Sequence, residues 1–290
     1  QYNCHPLVRP RHMGYIRFLS NIPFMQSARY SRQCQSVYWK ASLKYNVQQN
    51  RLYHDLSFLW PIVSPPEEYA VEAGLLREIL FGKLGPGRHT LLELGVGGGH
   101  LLSHLTSVFE ATAVDLSGEM LALSAQLNPS VEHHIGDMRS VQLPRKFDVV
   151  LVHDAIGYML TEDDLRAVFQ TAKAHLRPGG VFVAAPDWFK DTFQGPSVLH
   201  WIKRKDNLEV TFIEYVDDLD ASDTTIESVF FYVIKEGGTL RVEQDRHQTG
   251  LFPKSTWLRL LEDVGFVPEE INYPPYEGGY GGNFILSVLT

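Results

Sequence analysis

The segment with the most chemical promise is Glu93-Leu94-Gly95-Val96-Gly97-Gly98-Gly99. It follows an apolar run and precedes a helical stretch, and its glycines let a ligand approach the backbone where a helix amino terminus collects unpaired N–H groups. A glycine-rich turn that binds nothing is the plain alternative. Spacing narrows the ligand: counting a G-x-G-x-x-G dinucleotide fingerprint from Gly95 and Gly97 puts His100 at the third position, and no Gly-Lys-Ser/Thr of a P-loop follows. Asp115 stands 20 residues beyond Gly95, at the end of the next apolar run. A carboxylate there can accept hydrogen bonds from both ribose hydroxyls of an adenosine; otherwise it caps the following helix, a task that Ser117 also suits.

Two more apolar runs end in reactive or flexible groups, Gly136-Asp137-Met138 and His153-Asp154-Ala155-Ile156-Gly157-Tyr158. Four such ends in succession point to a ligand crevice at the carboxyl edge of a parallel sheet. A metal site is not expected. His100 and His104 are four apart but lack the Glu of a His-Glu-x-x-His pair, which reads as a solvated helix face, and His133 and His134 alternate across a strand.

The elements that must position these groups are five apolar runs at 90–94, 111–114, 131–135, 147–152 and 181–185, separated by loops or helical stretches. The clearest helix spans 161–176, opened by a capping signature at Thr161 and Asp164. Residues 52–80 read as helical pieces broken at Trp60-Pro61 and Ser64-Pro65-Pro66, with Tyr69, Val71, Ala73, Leu75, Leu76 and Ile79 forming an apolar face. Beyond Trp188 the pattern changes to alternating segments at 208–215, 225–234 and 239–246, the last two joined by a Gly237-Gly238 turn, before a helix at 255–264 and a final strand at 283–289. Strand and helix alternation predicts an α/β fold with a doubly wound parallel sheet. An antiparallel insertion at about 206–248 is expected to lie over its strand ends.

Composition excludes several classes. The chain has 290 residues, 44% of them hydrophobic, and carries a formal charge of -8. Residues 1–50 hold seven Arg and Lys and no Asp or Glu, which leaves 19 basic against 34 acidic residues, or -15, on residues 51–290. So acidic a body repels nucleic acid, and nucleic-acid and membrane partners are not expected. Both cysteines, Cys4 and Cys34, fall in the basic segment, so the body has no disulfide or thiolate site. No apolar run is long enough to span a membrane, and a cytoplasmic location is expected. The domain reading is a loosely ordered or functional basic extension at 1–50 followed by one catalytic domain at 51–290.

Taken together, Glu93 to Gly99, Asp115, Gly136-Asp137-Met138, Phe147-Asp148-Val149-Val150 and Leu176-Arg177-Pro178-Gly179-Gly180 resemble the class I S-adenosylmethionine (SAM)-dependent methyltransferases. The resemblance implies a Rossmann-like seven-stranded sheet of order 3-2-1-4-5-7-6 with strand 7 antiparallel. It also implies SAM as cofactor. Gly95, Gly97 and Gly99 would lie against its methionine part and ribose, with Glu93 beneath them and Asp115 on the ribose. Leu116 and Met120 would flank the adenine, Asp137 and Met138 would bind its edge, and His153 would line the pocket mainly through its backbone. A narrower similarity, to the N,N-dimethyltransferases of deoxyaminosugar biosynthesis, rests on Asp137-Met138-Arg139, Ile156-Gly157-Tyr158, Pro186-Asp187-Trp188-Phe189 and Asp245-Arg246-His247. It implies a small acceptor, an amine among the options, under the insertion.

The expected reaction is direct displacement, in which alignment of the acceptor and exclusion of water do most of the work. An amine acceptor must still lose a proton, for which His247, Asp154 or a water is the candidate. Tyr53, Tyr158, Trp188 and His247 are the expected acceptor wall, each equally open to an ordinary packing role. The alternatives are a SAM-binding protein without catalysis and a nicotinamide-dependent oxidoreductase. Exposed strand edges on the insertion allow a homodimer.

Overall fold

The computed structural model describes residues 49–275 and 280–289. The basic extension, apart from its last two residues, lies outside the described residues, and so do both cysteines.

The central sheet has seven strands. Leu91, Val149 and Leu151 pack into one apolar core while their neighbours Leu92, Val150 and Val152 pack into another. Strands apolar on both faces need helices on both sides, which is the doubly wound arrangement. The strands are β1 (His89–Leu94), β2 (Phe109–Asp115), β3 (Glu132–Ile135), β4 (Phe147–Val152), β5 (Leu176–Ala184), β10 (Val267–Asn272) and β11 (Asn283–Val288). Their spatial order is β10-β11-β5-β4-β1-β2-β3, with β11 antiparallel to β5 and to β10. Numbered within this sheet, that is the 3-2-1-4-5-7-6 order expected from the resemblance.

Six α-helices accompany these strands among the described residues: α1 (Trp60–Val63), α2 (Ala70–Leu84), α3 (His100–Ser103), α4 (Gly118–Leu127), α5 (Glu162–His175) and α6 (Lys254–Val264). Thr161 caps α5 as its sequence predicts, accepting from Asp164 N while its hydroxyl donates to the Asp164 carboxylate. α2 departs from expectation. Val71 is 85% exposed, and the buried face is Glu72, Ala73, Leu76 and Leu80. The reason is electrostatic: Glu72 turns inward to meet His153 and the Tyr273 hydroxyl, and that rotates Val71 out to solvent.

A second, antiparallel sheet carries β6 (Ser197–Lys205), β7 (Leu208–Asp217), β8 (Thr225–Glu236) and β9 (Thr239–Gly250) in sequential order. It is longer than the alternation predicts, because β6 pairs with β7 along its whole length. Gly237 and Gly238 join β8 to β9 with φ of 54° and 83°, values that glycine adopts without steric cost. Val210, Phe212, Phe230, Tyr232 and Ile234 on its inner face form a core with Leu52, Leu56, Leu59, Ile62 and Val63. The chain from Gln49 to Tyr69 is therefore a strap packed against the insertion. No described helix is long and apolar enough to cross a membrane.

Candidate active site

The glycine turn after β1 bends back on β2: Gly95 N and Val96 N both donate to Val114 O, at 2.7 and 3.0 Å. Gly95, Gly97 and Gly99 have φ of 75°, 53° and 73°. A Cβ on Gly95 would run into the Ala155 side chain, and one on Gly99 into Ser124 and Asn128. Asp115 ends β2 and accepts Gly97 N at 2.7 Å on Oδ2 and Ser117 N at 2.8 Å on Oδ1. Each carboxylate oxygen retains a lone pair for a ligand hydroxyl. Ser117, not Asp115, caps α4 through its hydroxyl, and it also donates to Tyr53 O at 2.5 Å.

Glu93 lies under this turn, 2% exposed, and its Oε2 has no hydrogen-bond partner. Burial pushes its carboxyl up to about 8, against the pull of His153, so it holds its proton at neutral pH. Met120 is fully buried and Leu116 is 71% exposed. A glycine cradle, a strand-end carboxylate, an uncovered apolar side chain and an orphaned buried oxygen match what an adenosine linked to a zwitterionic amino acid requires, so the residues present fit SAM.

The strap covers this crevice. Trp60 packs where a Cβ on Gly98 would stand and stacks on His100 at 5.8 Å. His100 and His104 do not form the solvated helix face expected from sequence. His100 is 5% exposed with Nδ1 2.6 Å from Ser64 O, and His104 Nε2 lies 2.8 Å from Pro66 O. The proline-rich turn presents carbonyls that its own backbone cannot satisfy, and the two rings supply the donors.

Asp137 and Met138 follow β3. Both Asp137 oxygens are taken by the Arg139 guanidinium, which also reaches Asp164 at 2.8 Å. Arg139 holds the Asp137 carboxyl below its ordinary range, although burial opposes it. Met138 approaches Gly95 through its methyl group. The His153 ring lies 3.0 Å from Glu72 and 2.9 Å from Asp154, which occupies it more fully than a backbone role requires. Burial disfavours its charge, yet Asp154 and Glu72 outweigh that and hold it well above the ordinary histidine value, as an imidazolium.

Three of the expected acceptor residues converge. Tyr53 OH is 2.8 Å from Tyr158 OH, Tyr158 OH is 2.5 Å from His247 Nδ1, and His247 Nε2 is 2.7 Å from Asp245 Oδ2. A carboxylate on Nε2 fixes the proton there. Nδ1 therefore accepts from Tyr158, whose oxygen accepts from Tyr53. Burial raises both phenols, so they keep their protons at neutral pH. Trp188 packs in a neighbouring cluster, edge-on to Phe193 and against Tyr280 at 4.6 Å. Asp154 is engaged by His153 at 2.9 Å and does not join this relay.

Several further residues have no role assigned from sequence, Asp245 and Asp187 entering only within the motifs of the narrower similarity. Asp245 carries a readable signal, since it stands two before His247 on β9 and so shares its face. Glu214 does too, as a carboxylate amid the inward-facing Phe212 and Val216; it is 6% exposed and raised by burial. Asp187, after β5, is raised well above the carboxylate range by burial and by the charge of Asp154. Glu72 gave no signal, because its partner lies on another element.

Residues 91–180 match the family model described as a methyltransferase domain. Over 218 residues, covering 74% of this chain and 89% of the relative, the chain is 31% identical to the dTDP-3-amino-3,4,6-trideoxy-alpha-D-glucopyranose N,N-dimethyltransferase of Streptomyces venezuelae. The crystal structure of Streptomyces venezuelae DesVI superposes with a TM-score of 0.71 at 26% identity, over 82% of this chain and 97% of that one. The structure of SAM-bound CalS10, an amino pentose methyltransferase from Micromonospora echinaspora, shares the fold at 20% identity, with a TM-score of 0.68 over 92% of this chain and 100% of its own. These similarities leave no support for a nicotinamide enzyme or a binding protein without catalysis. The chain belongs to the SAM-dependent methyltransferases that include the N,N-dimethyltransferases of deoxyaminosugar biosynthesis, and it transfers a methyl group from SAM to a small-molecule acceptor.

Proposed function

We propose that the acceptor is the amino group of a deoxyaminosugar and that His247 takes its proton. The observation that carries this reading is the relay Tyr53–Tyr158–His247–Asp245, half-buried at its tyrosines and buried at its far end, which offers an accepting nitrogen backed by a carboxylate where the strap, the body and the insertion meet. Similarity to a sugar N,N-dimethyltransferase over most of both chains supports the amine.

SAM would be held by Gly95, Gly97, Gly99, Asp115, Leu116, Met120, Asp137, Met138 and the His153 backbone, with Glu93 beneath, and supplies a methyl group activated by its sulfonium. Asp137 would have to share its carboxylate between the ligand and Arg139. An amine arrives protonated and is drawn in by the Asp154 carboxylate, while Asp187 and Glu214, raised by burial, offer hydrogen-bond partners more than charge. Its proton passes to the Tyr158 oxygen while the Tyr158 proton moves to His247 Nδ1. The imidazolium that results faces Asp245, and the freed nitrogen lone pair can attack. The rings of Tyr53, Tyr158 and Trp188 favour cationic groups over their faces and wall the acceptor from water.

We further place the reaction in the cytoplasm, as the cysteine-free body suggests. Two copies would pair through the insertion, whose outer face exposes Val198, Ile202, Leu240 and Val242. Light scattering tests the pairing.

The decisive test is methyl transfer from radiolabelled SAM to a panel of nucleotide-linked 3-amino and 4-amino deoxysugars beside their hydroxyl counterparts. Transfer to the amines alone is expected. Transfer to hydroxyl compounds with the amines inert would overturn the reading.

A further inference from the structure

Asp245 has a second task that its pairing with His247 does not explain. Its side chain is fully buried on the inner face of β9 and receives three hydrogen bonds. His247 Nε2 lies 2.7 Å from Oδ2, and Leu52 N, from the strap, donates to the same Oδ2 at 2.8 Å. Arg246 N donates to Oδ1 at 2.7 Å. The strap is clamped to β9 just before that amide: Asn50 N donates to Arg246 O at 3.1 Å, and Arg51 reaches Glu243 at 2.9 Å and Gln244 O at 3.1 Å. One residue further on, the strap supplies Tyr53, the far end of the relay, whose carbonyl is tied to Ser117 beside Asp115.

From this we infer that Asp245 is a positioning residue that links closure of the strap to the tautomer of His247: one carboxylate oxygen carries both the strap's amide and the Nε2 proton. Docking of the strap orders this oxygen, orders the imidazole through it, and brings Tyr53 to Tyr158 in the same movement. Burial works against the charge on Asp245, but hydrogen bonds from His247 and from the strap backbone hold it below its ordinary value, as this arrangement requires. The nitrogen that accepts the proton is therefore presented when the strap has closed over the cofactor crevice. Its part in turnover rests on the reading of His247 given above; the structural link does not.

Asp245→Asn separates the contributions. An amide offers one accepting oxygen, whereas three donors point at this side chain. If the amide oxygen takes the Oδ1 position, the NH2 group faces Nε2 and turns it into an acceptor, which moves the ring proton to Nδ1. If the oxygen takes the Oδ2 position, the NH2 group meets the Arg246 amide. The expected result is a shift of the His247 15N signals away from the single Nε2–H pattern, with kcat reduced about 100-fold and the KM for SAM changed less than about threefold. Arg51→Ala, which loosens the strap without touching Asp245, should produce a mixture of His247 tautomers and an intermediate kcat. In the Asp245→Asn background it should add nothing further.

Both variants are to be made in the full chain, with heat unfolding as the check on folding. An Nε2–H pattern unchanged in Asp245→Asn would overturn the proposal, as would a His247 tautomer insensitive to Arg51→Ala, or losses that multiply in the double variant. Should His247→Gln leave turnover intact, the proton-acceptor reading falls, and the 15N signals still decide the link. Asp245→Glu, which keeps a carboxylate, should restore the Nε2–H pattern in part.

Discussion

The two halves of the site are built by different means. The crevice proposed for the cofactor is made of backbone: turns at Gly95, Gly97 and Gly99, amides aimed at Asp115, and strand ends laid side by side by the sheet. The side proposed for the acceptor is made of side chains from segments far apart in sequence, Tyr53 on the strap, Tyr158 after β4, and Glu214, Asp245 and His247 on the insertion. A backbone site depends on residue types at fixed local spacing, whereas a side-chain site depends on which faces of distant elements meet. Evolution of acceptor specificity can proceed on the second without disturbing the first.

If the halves are separable, damage to one should spare the other. The largest effect is expected from His247→Gln, which should lower kcat by roughly 100- to 1,000-fold and leave SAM affinity within about twofold. Calorimetric titration checks this, and an equal loss of SAM binding would show that the halves are one unit.

Next comes Glu72→Gln, which strips the buried His153 imidazolium of a counter-charge and should cost about 3 kcal/mol, read as a lowered Tm. The sign with pH follows from the same residue. His153 is held above its ordinary value, so the stability it contributes is fully present below about pH 6.5 and is lost as pH rises through the folded value. Glu93 acts in the same direction: its carboxyl, pushed up to about 8, keeps in the folded state a proton that the unfolded chain releases, so stability falls as pH rises from the ordinary carboxyl range to about 8. Wild-type Tm should therefore decline from mildly acidic to mildly alkaline buffer, and in Glu72→Gln the His153 part of that decline should be smaller and complete at lower pH. A Tm that rises over this range would contradict both assignments.

Asp115→Ala removes a charged partner for ligand hydroxyls and should weaken SAM binding about 100-fold, with the 15N signals of His247 unmoved. The smallest effect belongs to Val71→Lys. Since Val71 is 85% exposed, Tm should change by less than about 0.5 kcal/mol equivalent, whereas a core position would lose several.

The crevice half of the site was legible for a physical reason. Gly95, Gly97 and Asp115 act through turn geometry and strand length, and both are written in local spacing. The relay was legible only in part. Tyr53, Tyr158 and His247 stood out as residue types, but their junction follows from the strap crossing the insertion, which no local pattern encodes. β6 escaped notice because its residues Val198, His200 and Ile202 alternate with Leu199, Trp201 and Lys203, so neither face is cleanly apolar. His100 and His104 were misread for a related reason: helical spacing shows that they share a side of the chain, but not that the Ser64 and Pro66 carbonyls lie against it.

By itself the sequence determined the alternation of strands and helices in the α/β body and the glycine turn after its first strand, because apolar periodicity and glycine spacing act over a few residues and leave few competing structures; the seven-stranded order and the type of reaction came from the resemblance to known methyltransferases. Tertiary structure alone decided that Glu72 faces inward, that His153 is charged, and that Asp245 serves the strap and His247 at once. Those outcomes turn on the energy of buried charges and hydrogen bonds between distant segments, which exists only after the chain has folded.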